Sequence, residues 1–177
     1  MWKVILPLVA VMILASCKQE EPVIADWDAY LADYEEWQEN RIERLKSERG
    51  WLNLAGLLWL EEGENTFGSD SSNTTKFPAP FPTFGGTMAL TDSVATLSVH
   101  PDVEILADGK PVSEMTLRND AQDSTTIMEL DRFKWYIIKR GDRYGIRLRD
   151  LEHPRIAQLD HIPSYPFSKD WVVKAEL

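Results

Sequence analysis

The chain has 177 residues, with 19 Lys+Arg against 29 Asp+Glu and a formal charge of −10. The electrostatic term that drives phosphate-backbone binding therefore has the wrong sign, which excludes nucleic acid as the main partner. At 44% hydrophobic and 10% aromatic the sequence carries enough apolar surface for one core, and its single cysteine excludes an internal disulfide, a four-Cys zinc site and a Cys-x-x-Cys redox pair.

Residues 1–16 form a short basic start, an apolar run and a small-residue end, which is the pattern of a secretory signal. The apolar stretch from Val4 to Ser16 has 13 residues, about 20 Å as a helix against a hydrocarbon core of roughly 30 Å, so it is too short to span. Leu14-Ala15-Ser16-Cys17 resembles the lipobox of bacterial lipoproteins, in which the cysteine is acylated and becomes the new N-terminus. The expected arrangement is a signal peptide over 1–16 and an acylated, palmitate-bearing Cys17 opening a tether over 17–25. Two or more acyl chains hold a protein on a membrane where one myristoyl-sized chain does not. The mature chain, with 18 basic and 29 acidic groups, carries −11. Lys18-Gln19-Glu20-Glu21-Pro22 is similar to the acidic export signal of some Bacteroidetes lipoproteins and equally fits a plain solvated spacer. The expected location is the bacterial cell envelope, lipid-anchored at the outer membrane, with the leaflet and surface exposure open.

From Asp26 the residues Trp27, Tyr30, Leu31, Tyr34, Trp37, Ile42 and Leu45 recur at three- and four-residue spacing, which predicts an amphipathic helix over 26–50. Asp26 is placed to cap it and Gly50 to end it. A stripe at helical spacing is expected to pack in the core, with a ligand platform as the lesser reading. Trp51 to Leu60 then reads as a strand, or as a short helix from Leu52 to Leu60, followed by a turn and a second strand at Thr66-Phe67-Gly68. Residues 69–86, with Pro78, Pro80 and Pro82, form a loop in which proline forbids regular pairing.

Beyond it, short β segments are expected at 87–90, 94–99, 103–106, 125–130, 133–140, 144–149 and 171–176. Turns fall at Asp92-Ser93, His100-Pro101-Asp102, Asp108-Gly109 and Gly141-Asp142. The fold class is mostly β: an N-terminal amphipathic helix, then an antiparallel β-sandwich or partly open barrel over 51–177.

The run Arg49-Gly50-Trp51-Leu52-Asn53-Leu54-Ala55-Gly56-Leu57-Leu58-Trp59-Leu60-Glu61-Glu62-Gly63 resembles the opening of domain-of-unknown-function family 1684, an uncharacterised bacterial family. Phe67-Gly68-Ser69-Asp70, Ile137 to Gly141, Ile146 to Asp150, Tyr165-Pro166 and Trp171 to Ala175 follow in that family's order. The resemblance covers roughly 27–177 and implies no assigned activity. It also implies that members continue for about another hundred residues, so the chain is read here as the family's N-terminal part or as a short member. The β order, with Phe67-Gly68 early, Ser98-Val99-His100 in the middle and Asp108-Gly109-Lys110 later, is similar in shape to a forkhead-associated phosphopeptide domain, without that domain's Gly-Arg and Ser-x-x-His pattern.

Arg143, Arg147 and Arg149 take alternate positions on one strand, with Arg140 and Lys139 across the turn. Such a strip can clamp a carboxylate or phosphate, and can equally be a solvated face paired with Asp142, Asp150 and Glu152. His153 and His161 lie among acids, but their eight-residue gap matches no standard ligand spacing, so no metal and no cofactor is expected. There is no Gly-x-Ser-x-Gly elbow, glycine-rich phosphate loop or His-Glu-x-x-His. The expected function is a membrane-held binding or scaffolding module for an anionic small molecule or an envelope protein, using the Arg strip or the Trp51–Trp59 region. The alternative is part of an envelope enzyme, such as a hydrolase, with its reactive groups downstream.

Overall fold

The computed structural model describes residues 24–173 and 175, so the signal segment and Cys17 lie outside the described residues. The chain divides into two compact units, one spanning 40–162 and the other built from residues up to 39 and from 163 onward.

The larger unit is a two-sheet β-sandwich. Its strands are β1 (Leu54–Trp59), β2 (Gly63–Gly68), β3 (Thr75–Lys76), β4 (Gly86–Thr91), β5 (Val94–Val99), β6 (Ile105–Ala107), β7 (Lys110–Val112), β8 (Glu114–Leu117), β9 (Met128–Leu130), β10 (Phe133–Arg140) and β11 (Arg143–Asp150). One sheet runs β1-β11-β10-β9-β6-β7 and the other β3-β2-β4-β5-β8. Every pairing is antiparallel except β2 with β3. Two-residue turns set the registers: Asp92-Ser93, Asp108-Gly109 and the start of the Asp131 turn all sit at positive φ, where Asp and Gly are tolerated.

Alternation places the core between the sheets. Phe133, Trp135, Ile137, Ile146 and Leu148 point inward from the six-stranded sheet, and Phe67, Met88, Leu90, Ala95 and Leu97 from the five-stranded one. The proline-rich loop adds Phe77 and Phe81, both buried, so a segment that pairs almost nowhere still supplies two core rings. Those rings surround Trp135, with Phe77 and Phe81 edge-on at 5.7 and 5.6 Å.

Several expectations change. The helix, α1, runs Trp27–Lys46 and stops short of Gly50. Asp26 does cap it, accepting from the Ala29 amide at 3.0 Å. Gly50 lies in the following turn because a Cβ there would sit 2.1 Å from the Leu45 carbonyl oxygen. No residue of α1 is buried, so its aromatic stripe is not core. Segments β3, β7 and β8 are additions: Pro111 and the brevity of these strands hide them from a pattern search. The strand expected at 171–176 is not formed among the described residues. Instead Ser168 accepts from the Asp170 amide at 3.2 Å and starts a single 3₁₀ turn over Lys169–Trp171, which uses up Trp171. A short helix, α2 (Pro154–Gln158), follows β11.

In the smaller unit Phe167 packs against the α1 stripe. Phe167 stacks on Tyr34 at 4.6 Å, Trp27 at 5.0 Å and Tyr30 at 5.6 Å, while the Lys169 ammonium lies 5.0 Å from the Trp27 ring. An apolar cleft of about 830 Å³ opens there between Tyr30, Tyr34, Phe167, Trp171 and Val172.

Candidate functional site

The outward face of the six-stranded sheet in the larger unit carries a polar cleft of about 610 Å³. Its floor is built by register. Lys134 pairs across from Arg149 and from Glu129, and Tyr136 across from Arg147, so alternation brings these side chains to one face while their neighbours fill the core. Glu48 and Arg49 from the turn after α1 form one wall, and Asp108, Asp120 and Thr125 form the other.

Four carboxylates line the cleft and each is answered by a cation. The Lys134 ammonium lies 3.0 Å from Glu48 and 3.4 Å from Glu129, and the bond to Glu48 is the main reason its pKa is raised. Arg118 pairs with Asp108 at 2.9 Å. Asp120 accepts from Arg140 at 2.8 and 3.1 Å and from the Lys139 amide at 2.9 Å. Burial opposes ionisation of Asp120, but the Arg140 and Lys139 bonds outweigh it and hold its pKa below the ordinary carboxylate value.

The three arginines of the expected strip have three different fates. Arg143 covers the Trp59 ring at 3.9 Å, a cation–π contact that Gly145 makes room for, since a Cβ there would meet the indole at 2.9 Å. Arg149 donates to the Gly50 carbonyl and the Asn53 side-chain oxygen, both at 2.6 Å. Arg147 is half-buried beside Tyr136, and among the described residues its guanidinium makes no hydrogen bond or ion pair, although its charge reaches Asp120. The strip is thus not a three-arginine clamp. Arg147, with exposed Arg49, is the part left open.

The expected pairing of this strip with Asp142, Asp150 and Glu152 is also not what forms. Asp150, buried on the opposite face parity, takes a bidentate bond from Arg132 at 2.6 and 2.5 Å, and Glu152 joins the same guanidinium at 3.2 Å. Burial works against the Asp150 carboxylate, and the Arg132 bonds still leave its pKa lowered. His153 and His161 do not converge. His153 accepts from the Arg155 amide at 3.2 Å as the cap of α2, His161 is exposed, and among the described residues no group of three or more His, Cys, Asp or Glu is placed to hold a metal. In the Trp51–Trp59 region Trp51 is exposed, and Trp59 is half-buried under Arg143.

Asn53 escaped sequence reasoning altogether. It is buried, and its amide donates to the Ser47 and Glu48 carbonyls at 2.8 and 2.7 Å while its oxygen accepts from Arg149. It ties the wall holding Glu48 and Arg49 to the sheet. The parity of Lys134, Tyr136, Arg147 and Arg149 in the predicted hairpin was the one signal that located the face.

No family model matches the chain, and no curated protein matches it. Among solved structures it is similar to the FhaA FHA domain complexed with the intracellular domain of Rv3910, at 16% identity over 52% of this chain and 97% of that one, with a TM-score of 0.37. It is also similar to a chain from a structural and functional analysis of phosphothreonine-dependent FHA domain interactions, at 16% identity over 52% of this chain and 92% of that one, TM-score 0.37. A third is an Rv0020c FHA structure, at 16% identity over 52% and 90%, TM-score 0.35. The class that the geometry itself defines is a mostly-β, two-sheet sandwich protein with a polar cleft on one outer face.

Proposed function

We propose that this protein is a cell-envelope lipoprotein, anchored through Cys17, whose sandwich is a binding module for an anionic small molecule or an acidic group on an envelope protein. Kinship with domain-of-unknown-function family 1684 belongs to the same reading. One observation carries the ligand: the cleft's four carboxylates already pair with Lys134, Arg118 and Arg140, which leaves Arg49 on the cleft wall and Arg147, beside the lining residue Tyr136, with no ion pair among the described residues, in a chain of net −10. A planar guanidinium beside a tyrosine on a rigid sheet suits bidentate capture of a carboxylate or phosphate.

Titration of the full chain with inorganic phosphate, followed by amide chemical shifts, should move the signals of residues 134–136 and 147–149 together. Arg147→Ala should weaken that binding by about tenfold, the loss of one charge-assisted contact of roughly 1.5 kcal/mol, with the unfolding midpoint unchanged. An unaltered titration in the variant would overturn the assignment. For the anchor, Cys17→Ser should move the protein from the membrane fraction to the soluble fraction, and retention on the membrane would refute the lipid.

A further inference from the structure

Four strands form the edges of the two sheets, and three of them are blunted. β3 has two residues and carries Lys76; β7 has three and carries Lys110 and Pro111; β8 opens on Glu114. Short length, charge and proline are the devices by which proteins keep strand edges from pairing. β1 departs from the pattern. It has six residues, Leu-Ala-Gly-Leu-Leu-Trp, with no charge and no proline. It pairs with β11 along one side, and the side chain of Leu57 at its middle is half exposed, at 50%. A bulge interrupts only its start, between Leu54 and Gly56, and leaves Gly56–Trp59 regular.

We propose that the β1 edge is a self-association surface, on which a second copy of this chain adds its own β1 antiparallel and joins two six-stranded sheets into one. The occupant follows from symmetry. In a two-fold antiparallel pair every residue meets a residue of the same face parity, and a charge near the axis meets its own like charge. Centred on Leu57, the pairing sets Leu57 against the copy's Leu57, and Gly56 against the copy's Leu58, the smallest residue opposite a large one. On that face the space above Gly56 is bordered by its own Leu58 side chain, whose nearest atom lies 3.5 Å from where a Cβ would stand. A two-fold pairing uses the β1 edge of both copies at once, so the contact closes as a dimer and does not propagate as a fibre.

The test uses the full chain in detergent, with sedimentation read at matched solvent density. The expected mass is twice that of one mature chain, and Leu57→Lys should halve it while near-UV circular dichroism stays as in the parent. Crosslinking gives an independent reading on an otherwise unaltered edge. Leu57→Cys, oxidised with copper–phenanthroline so that two thiols form one disulfide as the copper complex is reduced, should give a covalent dimer. Val94→Cys, equally exposed at 48% but placed within a sheet, and the parent, whose single cysteine Cys17 carries the lipid, should not. A parent chain that sediments as a monomer, or a Leu57→Cys variant that fails to crosslink, overturns the proposal. So does crosslinking of that cysteine to a different protein, which would give the edge another occupant.

Discussion

Trp135→Ala should destabilise the sandwich by about 3–5 kcal/mol, while Trp135→Phe should cost no more than about 1 kcal/mol. The indole is fully buried and sits within 5.6–6.2 Å of the Phe67, Phe77 and Phe81 rings. Truncation to Ala removes its packing against three rings and leaves a cavity that the two sheets are too rigid to close. Phe keeps most of that contact area. It also removes an N–H that, among the described residues, is buried without a hydrogen-bond partner, a group whose desolvation costs roughly 1–3 kcal/mol and so offsets the lost ring volume. Urea midpoints at unchanged m-value separate the two variants. If Phe proves as costly as Ala, the indole N–H has a partner, and the aromatic cluster is not a purely apolar plug.

That cluster shows what a linear pattern conveys and what it hides. The alternation of Phe133, Trp135 and Ile137 against Lys134 and Tyr136 is visible in the chain, because a strand's two faces are written in period two. The two faces of the predicted hairpin therefore hold in three dimensions, and so does the outward side of Arg147 and Arg149. Phe77 and Phe81 were not legible as core, since prolines mark their segment as loop and loops are expected on the surface. The fates of the arginines were illegible for a different reason. Whether Arg149 meets a ligand or the chain's own carbonyls depends on a turn 99 residues earlier in sequence, and that proximity exists only once β1 has paired with β11. The same applies to Asp150, whose partner Arg132 becomes its neighbour through the β10–β11 register. The aromatic stripe of α1 misled because helical spacing reports that a face wants a partner, without saying how large the partner is. Here it is mainly the Phe167 ring.

The run from Arg49 to Trp59, the most distinctive stretch of the sequence, should prove structural at its centre. Asn53→Ala is expected to cost about 2–4 kcal/mol. It deletes two buried donors and one acceptor and strands the Ser47 and Glu48 carbonyls together with one bond of Arg149. Arg149→Ala should cost less, about 1–2 kcal/mol, because Asn53 keeps its two bonds to the Ser47 and Glu48 carbonyls. The two residues share one bond, so the double variant should lose less than the sum of the singles, by about 0.5–1.5 kcal/mol in a thermodynamic cycle. Arg147→Ala, on the same strand face two residues away, should leave the unfolding midpoint where it was. An additive cycle, or an Arg149→Ala variant as stable as the parent, would free Arg149 from the turn and return it to the cleft as a second ligand-binding guanidinium beside Arg147.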